Sequence, residues 1–128
     1  MKYSIVFFFL LFLASCKSEV DKFISIKEDV TFLSDDALEG RQTGTDGEKA
    51  AADYIAKRFE NLGLQEKGTN KYFQAFTFKP KTNPHQKVNY TVTAGDSTIT
   101  GTNVVGLLDN KAENTIVIGA NYDHLGYG

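Results

Sequence analysis

Asn121, Asp123 and His124 follow directly on residues 115–120, the apolar run Thr-Ile-Val-Ile-Gly-Ala. In open α/β sheets, ligand and catalytic groups gather where strands end, so an amide, a carboxylate and an imidazole placed there invite a chemical reading. Asp123 can serve a reacting centre or cap the turn that follows it. His124 has the side chain of a zinc ligand, but a histidine without partners nearby in the sequence reads as a loop residue. The other histidine, His85 in Asn83-Pro84-His85-Gln86, reads as part of a surface loop. Glu39 and Arg41 flank Gly40 and are expected either to form a salt bridge at the mouth of a pocket or to sit in a solvated turn. Cys16 is the single cysteine, which excludes a disulfide framework within one chain.

Cys16 closes a leader. Lys2 gives residues 1–15 a positive start, and residues 5–14 are uninterruptedly apolar. As a helix these ten residues reach about 15 Å, half of the roughly 30 Å hydrocarbon core of a bilayer. They are too short to span and fit a signal peptide. The closing residues Leu13-Ala14-Ser15-Cys16 resemble the lipobox of bacterial lipoproteins: a branched residue, two small ones, then cysteine. That resemblance implies cleavage before Cys16, acylation of its thiol and a lipid-anchored protein of the bacterial cell envelope, facing the periplasm or the cell surface. Each buried methylene of an acyl chain contributes about 0.8 kcal/mol, so several chains hold a domain at a membrane without a spanning helix. Residues 16–22 then form the lipidated cysteine and its tether, and residues 23–128 the folded part.

The composition of the chain is that of a globular protein. Its 128 residues carry 14 basic and 16 acidic side chains, a formal charge of −2. With no basic excess to meet a phosphate backbone, nucleic acid is excluded as an expected partner.

Hydrophobic periodicity places the elements. Phe23, Ile26, Val30, Leu33 and Ala37 recur at spacings of three and four, one stripe of a helix that must pack on something. Residues 38–44 hold two glycines and no period, so a structured turn is expected. Thr45-Asp46-Gly47-Glu48 is a capping box opening a second helix, in which the Thr45 hydroxyl meets the Glu48 amide and the Glu48 carboxylate reaches back. Ala51, Tyr54, Ile55, Arg58, Phe59 and Leu62 form its stripe, Ala50 to Ala52 give it a slim face, and Gly63 with Leu64 suits a Schellman cap. Residues 72–78 follow as a strand. Val88, Tyr90 and Val92 alternate with polar residues, and Ala94-Gly95-Asp96-Ser97 should turn them into a hairpin with residues 98–100. Residues 103–108 and 115–120 are apolar on consecutive positions, as in strands covered on both faces. The expected fold class is α/β, with helices packed on a mixed, mostly central sheet.

Several of these stretches together are similar to the opening of the zinc-dependent aminopeptidases, the family that includes bacterial leucyl aminopeptidases and aminopeptidase Y. They are Leu38-Glu39-Gly40-Arg41, Thr43-Gly44-Thr45, Gly47-Glu48, Ala51-Ala52-Asp53-Tyr54-Ile55, Gly63-Leu64, Asn103-Val104-Val105-Gly106, and Ile116 to Ala120 ahead of Tyr122-Asp123-His124-Leu125-Gly126. The resemblance covers most of residues 30–126 and implies a zinc-aminopeptidase-like fold, peptide substrates, zinc as cofactor and proteolysis from the N-terminus. It places a zinc-binding histidine at the position of Asn121, and at Asp123 a carboxylate that accepts the far N–H of that imidazole and so fixes its tautomer. In this chain the ligand position is Asn121, and an amide oxygen is a much poorer zinc donor than imidazole or carboxylate. His124 is not a ligand in the family. The bridging aspartate, the general-base glutamate with its neighbouring ligand glutamate, and the later ligands of the family all fall beyond the stretch matching residues 120–126. The expectation is therefore the N-terminal part of a metallo-exopeptidase domain, inactive as this chain alone. A different class is open beside it, a non-catalytic surface lipoprotein or pseudo-enzyme remnant that binds peptides or a partner protein.

Overall fold

The computed structural model describes residues 19–83 and 85–126. The expected leader, Cys16 and the start of its tether lie outside the described residues. The chain divides into two units, Met1–Leu33 and Ser34–Gly128.

In the first unit, helix α1 spans Glu19–Leu33. It stops four residues before Ala37, where the apolar stripe was expected to end. Asp35 is the reason: its carboxylate accepts the Ala37 amide at 2.8 Å and caps a separate 3-10 segment, Asp36–Arg41. Short polar side chains that bond nearby backbone in this way compete with continued α-helix. The expected packing stripe is not buried at Ile26 and Val30, which are exposed. Among the described residues no helix is long and apolar enough to cross a membrane.

The second unit is built around helix α2, Asp46–Asn61. Its N-terminus is capped by the Thr45 hydroxyl, which accepts the Glu48 amide at 3.4 Å. Its C-terminus is a Schellman motif, with the Gly63 amide donating to the Glu60 carbonyl at 2.9 Å and the Leu64 amide to the Phe59 carbonyl at 3.0 Å. Gly63 takes the left-handed φ of +75° that this motif requires. The slim face is the buried one: Ala51, Ala52 and Ala56 form the core with Leu38 and Tyr72. The Tyr72 ring meets Phe59 edge-on at 6.1 Å, and its hydroxyl donates to the Leu64 carbonyl at 2.6 Å.

Two antiparallel two-stranded sheets complete the unit, so the fold is mixed α and β. Strand β1, Gln65–Glu66, pairs with β4, Gly106–Leu107. Strand β2, Phe73–Phe78, pairs with β3, Ile99–Val104, in the register Phe73↔Val104 to Phe78↔Ile99. The expected hairpin between residues 88–92 and 98–100 does not form. The Thr93–Asp96 turn is made, but β3 takes β2 as its partner, and residues 88–92 keep a single bridge, Lys79↔Asn89. Residues 103–108 are also less enclosed than an all-apolar run suggests, with Asn103 and Leu108 exposed.

The largest departure is residues 115–120. The expected strand, covered on both faces, is instead irregular chain with Ile116, Val117 and Ile118 exposed at 87%, 89% and 91%. A central strand needs a neighbour on each side to satisfy its amides and carbonyls, and no described element lies alongside this one. The described sheets are accordingly small and antiparallel, and no central mixed sheet is present among the described residues.

Candidate functional site

Residues 38–48 and 121–126, some 80 positions apart, are laced together. The 3-10 segment ends in three successive left-handed residues, Glu39 (φ 49°), Gly40 (φ 69°) and Arg41 (φ 52°). Left-handed backbone is uncommon outside glycine, and two such residues beside Gly40 mark a turn imposed by its surroundings. Those surroundings are the segment 122–126. The Arg41 side chain donates through Nε to the Tyr122 carbonyl at 2.7 Å, and the His124 amide donates to the Arg41 carbonyl at 3.1 Å. Gln42 and His124 form an isolated parallel bridge. A Cβ on Gly40 would lie 2.9 Å from the Gly126 Cα, so the two backbones pass with no room for a side chain between them.

Behind this turn lies the start of α2. Glu48 is 4% exposed. Its carboxylate was expected to reach back to the Thr45 amide, but that amide donates to the Gln42 carbonyl at 3.0 Å. Glu48 instead accepts from the Gly44 amide at 2.8 Å through Oε2 and from the Thr102 amide of β3 at 2.8 Å through Oε1. The Tyr122 hydroxyl stands 3.2 Å from the same Oε1 and also bonds the Thr102 carbonyl. Burial holds the Tyr122 phenol well above its ordinary range, and the neighbouring Glu48 carboxylate reinforces the shift.

The residues singled out in the sequence fall around this lacing. Asn121 is exposed. Asp123 is exposed and accepts the Thr43 hydroxyl at 2.9 Å through Oδ2. His124 is exposed, and its backbone is tied to Arg41 and Gln42. Arg41 is half-buried and reaches across to Tyr122, while Glu39 is exposed. His85 lies far along the chain in an exposed loop, its amide donating to Asn83 Oδ1 at 3.0 Å. Cys16 lies outside the described residues. The segment 121–124 is thus delivered from the α2 side, by Arg41, Thr43 and Glu48, and not by the end of a strand at residue 120.

Tyr122, Thr43 and the inward turn of Glu48 were not foreseen as parts of one arrangement. The capping box marked Glu48 as a helix start, but its partners on β3 and at Tyr122 are set by tertiary contacts. Thr43 and Tyr122 sit in no periodic pattern, and in the sequence they stand out only within the stretches that resemble the aminopeptidase family.

A zinc ion needs three or four converging donors. Asn121 offers a neutral amide, one oxygen of Asp123 is engaged by Thr43, and among the described residues no three His, Cys, Asp or Glu side chains come together to hold a metal. Among the described residues the donors present do not fit a zinc site. No family model, curated protein or solved structure matches the chain.

Proposed function

We propose that this chain is the N-terminal part of a lipid-anchored, zinc-dependent exopeptidase of the aminopeptidase type, held at the bacterial cell envelope through Cys16 and acting on peptides only together with residues C-terminal to Gly128. The observation that carries the reading is the meeting of residues 38–48 with residues 121–126. Both stretches bear the resemblance to the aminopeptidase family, and the hydrogen bonds of Arg41, Thr43 and Glu48 make them one unit. A shared site would require that convergence, and two chance matches would have no reason to show it. The finer fold belongs to the same proposal: residues 115–120 would enter a central mixed sheet whose remaining strands lie outside this chain.

The test is to read the coding sequence past codon 128. An in-frame or frameshifted continuation with an Asp-Asn-rich turn and a Glu-Glu pair is expected, and its absence would overturn the reading. The 128-residue chain alone should release no N-terminal residue from aminoacyl substrates, with or without added zinc. In the extended protein, Asn121→His should raise the zinc content measured by elemental analysis. The membrane part is tested separately. Cys16→Ser should abolish incorporation of labelled fatty acid and move the protein from the membrane to the soluble fraction.

One observation favours a second reading, a non-catalytic surface lipoprotein. Asn121 is an exposed amide where the family resemblance calls for a ligand, the change expected when a metal site is no longer maintained. A true stop with no trace of those motifs favours this alternative, whereas unchanged zinc content in the extended Asn121→His variant would show that Asn121 is not the ligand position.

A further inference from the structure

We propose that Glu48 is a positioning residue for the segment 121–124, acting through the Tyr122 hydroxyl. This rests on the reading of that segment as the site, but its physical content is independent of zinc.

A helix cap does not require what Glu48 does. A capping hydrogen bond is made as well by an exposed side chain, whereas burying a carboxylate is costly unless hydrogen bonds compensate. Glu48 is buried, and its partners are two backbone amides and a phenol hydroxyl, whose single proton it shares with the Thr102 carbonyl, from three places in the chain. Gly44 belongs to the turn before α2, Thr102 to β3 and Tyr122 to the candidate site. The helix is already capped by Thr45. The additional reach of Glu48 therefore serves the other two elements.

Thr102 closes the arrangement. Its amide donates to Glu48 while its carbonyl accepts the Tyr122 hydroxyl, so the phenol oxygen is held between two acceptors that are themselves linked. With the ring fixed at its hydroxyl and its carbonyl held by Arg41, Tyr122 is held at both ends of the residue. Asn121 and Asp123, its neighbours in the chain, are placed as a consequence, and Thr43 then sets one carboxylate oxygen of Asp123. Among these contacts Glu48 is the group that joins the turn, β3 and Tyr122 at once.

Glutamine at position 48 keeps the shape but has one acceptor oxygen, so its NH2 would face either the Gly44 amide or the Thr102 amide, donor against donor. Tyr122→Phe removes only the hydroxyl and leaves the helix cap untouched, which keeps the proposal testable if Glu48→Gln unfolds. The experiment is amide hydrogen exchange by NMR on the ¹⁵N-labelled full chain in detergent micelles. In Tyr122→Phe the His124 amide, bonded to the Arg41 carbonyl, should exchange at least tenfold faster while Ala51 and Ala52 are unchanged. In Glu48→Gln the same amide should exchange faster as well. The double variant should exchange at His124 no faster than the faster single one. An unchanged His124 amide in Tyr122→Phe, or in a folded Glu48→Gln, overturns the proposal. Neither readout involves zinc or peptide hydrolysis, so failure of the positioning role is distinct from failure of the exopeptidase reading, which is decided by the coding sequence and zinc content.

Discussion

A methyl group placed on Gly47 would stand 1.9 Å from the carbonyl oxygen of Leu38, far inside any real contact. Gly47 is in the first turn of α2 and Leu38 in the 3-10 segment, so this approach fixes how closely the segment 38–45 lies on the helix that supports it. It also explains why a helix begins with a residue of poor helical propensity.

Gly47→Ala therefore separates two opposed effects. Propensity alone would stabilise the helix by roughly 0.5–1 kcal/mol. Overpacking against a backbone carbonyl, which cannot swing away as a side-chain tip would, destabilises by about 1–3 kcal/mol or more. The expected result is net loss, seen as a lower denaturant midpoint. A rise in the midpoint would show that the 3-10 segment can move off the helix.

Gly63→Ala isolates the other constraint on glycine. A Cβ there meets nothing within 4 Å, so there is room, but the Schellman geometry holds φ at +75°. The left-handed conformation costs an alanine about 1–2 kcal/mol, and that loss of stability is expected with the core contacts intact. Gly63→Asn should cost less, because asparagine tolerates this region. Equal losses for alanine and asparagine in chemical denaturation would argue against backbone strain as the cause.

These two glycines show what was legible in the sequence. Helix α2 was readable because its signals are local: the Thr45 to Glu48 box, the apolar stripe and Gly63 all act within a turn of the backbone they control. The run 115–120 was readable only as apolar. Continuous Ile-Val-Ile states that a segment would gain from burial, but burial depends on neighbours that lie elsewhere in the chain. The hairpin expected from Val88 to Thr100 failed for a related reason. Its turn formed at Thr93–Asp96, yet β3 found a better partner in the aromatic strand Phe73–Phe78. At the candidate site the same division holds. Asp123 could be singled out, but the inward turn of Glu48 is decided by Thr102 and Tyr122, 54 and 74 residues away.

The Thr93–Asp96 turn should be acid-sensitive. The hydrogen bond from Lys79 to Asp96, at 2.8 Å, is the leading cause that lowers the carboxyl from 3.8 to about 2, and bonds from the Thr93 hydroxyl and amide, both 2.7 Å, add to it. Because the folded value lies below the ordinary one, the stabilisation is fully present above about pH 4. It is lost as pH falls through about 2. NMR titration should show the Asp96 carboxyl and the Thr93 amide moving together in that window. In Asp96→Asn the Thr93 amide should no longer respond to acid there. A midpoint for Asp96 near 4 would mean that the Lys79 pair does not persist in solution.

Residues 115–120 carry no charge and no proline, are rich in β-branched side chains, and leave Ile116, Val117 and Ile118 almost fully exposed. An extended apolar segment with unpaired backbone groups is a template for pairing with another chain. The full chain should accordingly self-associate in buffer as concentration rises, measured by light scattering and by the fraction remaining after sedimentation. Val117→Lys places a charge in the middle of the segment, and a like charge repeated on each stacked chain opposes in-register pairing. It should lower the sedimented fraction severalfold while leaving the unfolding of the Ala51, Ala52 and Leu38 core unchanged, since Val117 is 89% exposed and contributes little to it. Sedimentation that is equal in parent and variant would place the self-association elsewhere, with the exposed α1 residues Ile26 and Val30 the next to substitute.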